Sequence, residues 1–261
     1  MQLRRLIPAL FIQNGLIVRS EDFSIHQIIG NVVNEAARYN QWNVDELIYV
    51  DISRHQKYDA RRDDHRISSF SSIEEIIQGI SKVCFMPLTF GGGIRKIEDV
   101  DVRIRNGADK VILNTGAYET PELVEAIASK YGNQCCVISA DYRMVDGSPM
   151  LFTNMGTRNT GVNVLDWIRR CETMGAGEIF LHAIDRDGKA NGYDFETINR
   201  ACEATRLPVI ACGGAATIED FIDVFLDTPA SAIAAGNMFH FTEHSYPRAK
   251  RELKREKINV R

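Results

Sequence analysis

Short apolar segments alternate with helix-forming segments along the whole chain. The apolar segments carry few polar residues, as strands that are covered on both faces do, and eight of them can be identified. The predicted strands are Arg5–Phe11, Glu46–Ile52, Phe85–Phe90, Lys110–Asn114, Cys135–Asp141, Glu178–Ile184, Pro208–Cys212 and Ala230–Ala235.

Between most of these strands, apolar residues recur with the spacing of an amphipathic helix. The predicted helices are Val32–Tyr39, Ile97–Asn106, Glu122–Tyr131, Val164–Met174, Phe195–Ala204, Ile218–Phe225 and Tyr246–Glu256. Repeated strand–helix units form a parallel sheet, and eight of them close into a barrel. The pattern therefore predicts a single α/β domain over residues 1–261, with the (β/α)8 or TIM-barrel fold.

A short motif occurs twice in the chain. Gly-Gly-x-x-x-Ile-Glu-Asp begins at Gly92 and begins again at Gly213. We interpret the repetition as two similar half-barrels, of about residues 1–130 and 131–261. Chance similarity between glycine-rich turns is the alternative.

The composition, 44% hydrophobic and 25% charged, is that of a folded globular protein. The net charge of -4 provides no basic surface for nucleic acid or an acidic membrane, so a small molecule or a protein is the expected partner. No segment is long and apolar enough to span a membrane, and a cytoplasmic location is expected. The six cysteines form no C-x-x-C pair, and neither a metal site nor a cofactor is predicted.

A polar segment from Arg54 to Ser72 contains the charged run Asp59–Arg66. We interpret it as an extended loop between a strand and a helix. It is either a substrate lid or partner contact, or a solvated part of the surface.

Glycine-rich turns at the ends of predicted strands indicate sites where the backbone approaches a ligand closely. Gly91-Gly92-Gly93 follows the third strand, and Gly213-Gly214 follows the seventh. Asn114-Thr115 and Gly236 follow the fourth and eighth strands. Because barrel enzymes often hold phosphate at such turns, the arrangement predicts two phosphate sites on opposite sides of the barrel mouth. Ordinary turn geometry is the alternative for either glycine pair.

Carboxylates also follow several strands, at the barrel face that carries the chemistry of such enzymes. They are Asp51, Asp141, Asp185 and Asp187. Asp141 ends an apolar strand, where a partly desolvated carboxyl group can act as an acid or a base; a helix cap or an ion pair is the alternative. Asp187 precedes Gly188, whose N–H can contact phosphate; a plain turn is the alternative.

Four charged residues lie at the opposite ends of their strands, at the floor of the barrel: Arg5, Glu46, Lys110 and Glu178. Such a ring is either a collar of salt bridges or a gate.

Several segments together resemble the cyclase subunit of imidazole glycerol phosphate synthase, and the resemblance extends from Arg5 to about Phe241. They are Thr89–Ile94, Gly107–Val111, Asn114-Thr115, Arg158–Gly161, Gly175–Ile179, Asp185–Gly188, Gly192–Asp194 and Gly213–Ala215.

In that family a class I glutaminase docks on the floor of the barrel and releases ammonia, which passes through the barrel to the mouth. The resemblance assigns the four charged residues of the floor to the ammonia gate and Asp141 to one of two catalytic aspartates. It also implies a set of phosphate contacts: Gly93, Asn114, Thr115, Asp187, Gly188, Gly214 and Gly236.

The chain departs from the family on the first strand. The family motif Cys-Leu-Asp-Val, with a lysine eight residues after the aspartate, corresponds here to Ala9-Leu10-Phe11-Ile12, with Arg19 in place of the lysine. Phe11 can neither donate nor accept a proton, and loss of an acid–base group costs roughly 10²- to 10⁴-fold in rate.

These departures resemble a diverged branch of the family found in surface-polysaccharide gene sets. The first hypothesis is therefore a barrel that conducts ammonia to a separate sugar amidotransferase, which converts an acetamido group to acetamidino. The second is a working cyclase that makes imidazole glycerol phosphate and AICAR from PRFAR and ammonia in histidine biosynthesis, with the missing carboxylate supplied by Asp51 or Asp185. A phosphate-metabolite binding scaffold is the third.

Overall fold

The computed structural model describes residues 3–53, 58, 70–240 and 243–261. The strands in the described part are β1 (Arg5–Gln13), β2 (Leu16–Glu21), β3 (Ile25–Asn31), β4 (Leu47–Asp51), β5 (Leu88–Gly91), β6 (Lys110–Leu113), β7 (Cys136–Val145), β8 (Ser148–Thr153), β9 (Arg158–Asn163), β10 (Glu178–Ala183), β11 (Val209–Cys212) and β12 (Ala232–Ala235).

Eight of these strands form a closed parallel barrel: β1, β4, β5, β6, β7, β10, β11 and β12. Closure occurs where β12 pairs in parallel with β1, with Leu6 opposite Ile233. Every barrel strand therefore has two neighbours, and no strand edge of the barrel is left unpaired. The predicted (β/α)8 fold is confirmed.

The helices of the described part are α1 (Val32–Gln41), α2 (Ile73–Ser81), α3 (Ile97–Arg105), α4 (Thr115–Glu119), α5 (Glu122–Tyr131), α6 (Val164–Thr173), α7 (Phe195–Ala204), α8 (Ile218–Asp227) and α9 (Ser245–Arg255). None of them is long and apolar enough to cross a membrane. The predicted helices agree with the structure to within two residues at each end, and α2 and α4 were not among them.

Both faces of the barrel strands are apolar because one faces the barrel interior and the other faces the helices. On β1, Ile7 and Ala9 belong to the interior cluster, whereas Leu6 and Leu10 pack in the cluster beneath the helices. The two-residue period of a strand produces this division. It explains why the strands appear in the sequence as nearly continuous apolar segments.

Two hairpins were missed by the sequence analysis. The strands β2 and β3 form an antiparallel extension of β1, and β8 and β9 extend β7 in the same way. Their residues include many polar ones, so the segments lack the nearly continuous apolar pattern from which the barrel strands were predicted. Each hairpin rises from the mouth end of a barrel strand, the first strand and the fifth.

The repeated motif has the same local structure in both places. The Asp99 carboxylate accepts hydrogen bonds from the backbone N–H groups of Arg95 (2.8 Å) and Lys96 (3.1 Å), at the start of α3. The Asp220 carboxylate accepts from the N–H groups of Ala216 and Thr217, both at 2.8 Å, at the start of α8. The aspartate of the motif thus caps the helix that follows each glycine pair.

Most of the polar segment predicted as a loop between Arg54 and Ser72, including the charged run Asp59–Arg66, lies outside the described residues.

The first glycine turn is tightly constrained, and this predicts a large effect of substitution. Gly92 has a φ of +90°, and a Cβ there would lie 1.9 Å from the backbone oxygen of Asp51. Gly147 has a similar φ of +76°, with nothing within 4 Å of its Cβ position. Both alanine variants incur strain of about 1–2 kcal/mol from the positive φ. We expect G92A to lower the free energy of unfolding in urea by about 1–3 kcal/mol more than G147A, because of the clash. Equal losses for the two variants would contradict this account.

Candidate functional site

The four charged residues of the floor form a closed ring of ion pairs. The Arg5 guanidinium contacts Glu46 at 2.8 Å and also contacts Glu178. The Lys110 ammonium lies 3.1 Å from Glu178 and 3.5 Å from Glu46. Each charge therefore has two partners of the opposite sign. These residues start strands that are far apart in sequence, and barrel closure brings them together at one end.

Above the ring, the barrel interior is apolar. Every side chain of this interior cluster is buried, and the members are Ile7, Ala9, Ile48, Ile112, Val137, Phe180, Ile210, Cys212, Ala232 and Ala234. Such a lining excludes ions, because a charge without a partner is costly to desolvate. A small neutral molecule would cross it more easily.

Two cavities open at the other end of the barrel, where the strands end. The first, of about 480 Å³, is lined by Gly92, Gly93, Asn114 and Thr115, with Asp51 and Asp141 on its wall. The second, of about 240 Å³, is lined by Gly214, Gly236, Asp187 and Gly188, with Arg19 on its wall. The structure thus brings together each predicted group of phosphate-contacting residues, and phosphate binding itself stays a prediction.

The side-chain amide of Asn114 is already engaged in hydrogen bonds within the protein, and this limits its capacity to bind a ligand. Its side-chain amide donates hydrogen bonds to the backbone oxygens of Ser139 (3.1 Å) and Phe152 (3.0 Å). Thr115 accepts a hydrogen bond from the N–H of Asn154 at 2.9 Å. These hydrogen bonds connect the end of β6 to β7 and to the β8–β9 hairpin. Both side chains therefore have a structural role in the cavity wall.

The β2–β3 hairpin lies against the second cavity. The Asn237 side chain donates to the backbone oxygen of Ser20 at 2.7 Å, and the N–H of Asp22 donates to the backbone oxygen of Asp187 at 2.8 Å. Gly188 is required here, since a Cβ would lie 2.0 Å from the Ser20 oxygen. Arg19 is placed on the cavity wall by this hairpin.

Phe11 points into the mouth of the barrel. It follows Ile7 and Ala9 on the interior face of β1, and it is buried in an apolar cluster with Val18, Phe23, Ile52 and Ile184. The rings of Phe11 and Phe23 meet edge to face, 5.2 Å between centroids. We call these five residues the mouth cluster. The two cavities share no lining residue, and the mouth cluster occupies the space beside them with apolar side chains.

His182 lies beside the mouth cluster, between two carboxylates. Its ring stacks on Phe11 at 5.7 Å; its Nδ1 is 3.7 Å from Asp141 and its Nε2 is 3.8 Å from Asp187. Burial, with only 1% of the residue exposed, opposes a charge on the ring. The two carboxylates outweigh this effect and raise the pKa of His182 to about 9. The carboxylates thus favour the protonated form of a ring that lies between a residue of the first cavity and one of the second.

The carboxylates of Asp51 and Asp185 both accept local hydrogen bonds, but within the described residues Oδ1 of Asp185 is buried without a partner. Asp51 accepts from the Tyr58 hydroxyl (2.6 Å) and from the side chain and N–H of Ser53 (2.5 and 2.8 Å). Asp185 accepts from the N–H of Met144 at 3.0 Å and lines neither of the two cavities. Of these two candidates for a replacement catalytic acid, Asp51 alone lies on the same cavity wall as Asp141.

Sequence reasoning did not select His182, Phe23 or Arg103, a buried arginine on the wall of the first cavity. His182 could have been found, because it follows Glu178 by four residues on the same strand and so faces the same interior. Phe23 could not, because the hairpin that carries it was not predicted.

Comparison with known proteins identifies relatives over nearly the whole chain. The model of a family described as "Histidine biosynthesis protein" matches residues 5–245. Three relatives carry the name imidazole glycerol phosphate synthase subunit HisF. The protein of Natranaerobius thermophilus is 36% identical over 99% of this chain and 98% of its own length. Those of Alkaliphilus metalliredigens (37%; 99% and 98%) and Hyphomonas neptunium (38%; 98% and 98%) are similar to the same extent.

The ion pairs of His182 predict a dependence of stability on pH. A pKa raised in the folded state from 6.5 to about 9 contributes stability that is complete below pH 6.5 and is lost as the pH rises through 9. The charged and titratable groups around the ring are Asp141, Asp187 and Cys212. We expect the free energy of unfolding of the wild type to fall between pH 6 and pH 9.5. This fall should exceed that of H182Q by at most about 3 kcal/mol. Urea titrations at several pH values measure it; parallel curves for the two proteins would show that His182 is not charged in the folded state.

Proposed function

The chain belongs to the histidine biosynthesis protein family, and on that premise we propose that it is the barrel subunit of an imidazole glycerol phosphate synthase. In this role it receives ammonia from a glutaminase subunit and combines it with PRFAR, giving imidazole glycerol phosphate and AICAR. The names of the relatives support this reading over the surface-polysaccharide one.

The observation that carries the proposal is the closed ring at the floor, leading into an apolar interior. Two carboxylates and two cations close the floor of the barrel through four ion-pair contacts. A glutaminase docked on this face would deliver ammonia to the ring, and one ion pair would open to let it pass. The apolar lining above the ring favours neutral ammonia over ammonium, because only the charged form pays a large desolvation cost.

The two glycine-lined cavities support a substrate that carries phosphate at both ends. Backbone N–H groups of glycine turns can contact phosphate closely, since no side chain intervenes. The distribution of the predicted contacts over two cavities fits two phosphate groups held apart. Asp141, on the wall of the first cavity, supplies the acid–base group at the end of the ammonia path.

Phe11 favours a second candidate, in which the barrel passes ammonia to a separate acceptor enzyme such as a sugar amidotransferase. Ring closure requires proton transfer on two sides of the reacting atoms. The position across the mouth from Asp141 holds an aromatic ring packed against Phe23 and His182. Ammonia conduction needs only the ring of charges and the apolar interior, and both are present.

Turnover of PRFAR separates the two candidates. With ammonium salt as the nitrogen source and no glutaminase, we expect slow formation of imidazole glycerol phosphate by the wild type. F11D restores a carboxylate and should raise the rate by roughly 10²-fold. F11L is the matched control: it opens space without adding an acid, and its rate should stay near that of the wild type. If neither the wild type nor F11D makes product, and the gene does not restore growth of a strain lacking the histidine-pathway cyclase, the synthase proposal is wrong and the second candidate takes its place.

A variant that opens the floor ring should lower product formation from glutamine and leave product formation from added ammonium salt nearly unchanged. R5A removes the arginine that contacts both glutamates of the ring. Ammonia should then escape into solvent at the interface between the barrel and the glutaminase. With the glutaminase present, we expect product formation from glutamine to fall roughly tenfold, while formation from added ammonium salt stays within about twofold. Thermal unfolding checks that the variant is folded, since two buried glutamates lose a partner. An equal fall with both nitrogen sources would mean that the ring supports the fold and does not guide ammonia.

A further inference from the structure

Arg103 is a buried cation on the wall of the first cavity. It lies on α3, only 3% exposed, and borders the cavity together with Gly93 and Thr115. Its guanidinium donates to the backbone oxygens of Asp99 (2.7 Å) and Gly92 (2.5 Å). A Cβ on Gly93 would lie 3.8 Å from the guanidinium, so the glycine turn and the cation border the same space.

The charge of Arg103 is incompletely compensated within the described part of the chain. Its hydrogen-bond partners there are two backbone carbonyls, and its Nε is buried without a partner. The carboxylates of Asp99, Asp51 and Glu74 lie near the guanidinium, but within the described part of the chain none of them forms a salt bridge with it, and that of Asp51 accepts hydrogen bonds from Ser53 and Tyr58. Burial lowers the pKa of Arg103, but a guanidinium stays protonated in proteins. A buried cation of this kind is costly unless an anion approaches it.

The internal repeat shows that this cation belongs to one half only. The offset that places Gly92 on Gly213 places Arg103 on Val224. Val224 is fully buried on α8 and packs in the apolar core beneath the helices. A position that serves as ordinary core in the second half therefore carries a charge in the first half, next to the cavity. Packing alone does not require it, because valine satisfies the same position in the repeat.

We propose that Arg103 is an anion-recognition residue that makes the first cavity the stronger of two unequal phosphate sites. The guanidinium has donors left after its two backbone contacts, and a planar guanidinium suits phosphate oxygens better than an ammonium does. The inference rests on the proposed function, in that both cavities are taken as phosphate sites. It adds that the two cavities differ in their affinity for phosphate. The phosphate group of the ligand that enters the first cavity is held more tightly.

The test is a titration of the full-length protein with inorganic phosphate, observed through the amide signals of ¹⁵N-labelled glycines. Gly92, Gly93 and Gly116 report on the first cavity, whereas Gly188, Gly213, Gly214 and Gly236 report on the second. We expect the first set to respond at lower phosphate concentration in the wild type. R103Q should weaken the response of the first set at least about tenfold and leave the second set unchanged.

Two further variants keep the result interpretable. R105Q removes an exposed arginine from the same helix and should bind phosphate as the wild type does. R103K retains the charge, so it should fold even if R103Q does not, and it should bind severalfold more weakly than the wild type because the ammonium lacks the planar fork. Unchanged affinity in folded R103Q or R103K, or equal affinity of the two glycine sets in the wild type, would overturn the inference and leave the proposed function standing. Failure of both glycine sets to respond in the wild type would remove the two phosphate sites of the proposed function as well.

Discussion

The alternation of side chains along the barrel strands is the constraint on which the rest of the structure depends. A residue on such a strand faces either the interior or the helices, and the residue two positions further on faces the same way. On β1 this places Arg5 at the floor, Ile7 and Ala9 in the interior and Phe11 at the mouth. On β10 it places Glu178 at the floor and His182 at the mouth. The floor ring, the apolar interior and the mouth are consecutive levels of one closed sheet.

The charges at the mouth are arranged differently from those at the floor. The floor has four charges in a closed ring that balance one another. At the mouth, the His182 ring lies between the carboxylates of Asp141 and Asp187, and the aromatic ring of Phe11 stacks on it. Phe11 adds no charge, and the His182 ring on which it stacks is buried. The mouth therefore combines the Asp141 carboxylate, the neighbouring His182 ring and the apolar mouth cluster.

The two copies of the repeated motif share their local structure, and they differ in the side chains that line the cavity beside each of them. Asp99 and Asp220 cap equivalent helices after equivalent glycine turns. The first cavity nevertheless has Arg103 in its wall, and the second has the β2–β3 hairpin with Arg19 against it. Similar backbones thus carry two cavities of different size and different charge. A ligand with two unlike ends would distinguish them.

The sequence by itself determined the barrel, most of its helices, the glycine turns and the residues that could meet at the floor, because these follow from periodicities of two and of three to four residues within short segments. Only the tertiary structure decided that the four charges close into a ring, since Arg5 and Glu178 are brought together by pairing between strands distant in sequence. It also decided that the hairpins exist and that Phe23 reaches Phe11. The hairpin residues lack a strong apolar pattern, so their conformation depends on the neighbouring barrel strand. The pKa of His182 follows from carboxylates on β7 and in the loop after β10, and their distance from the ring is set by barrel closure.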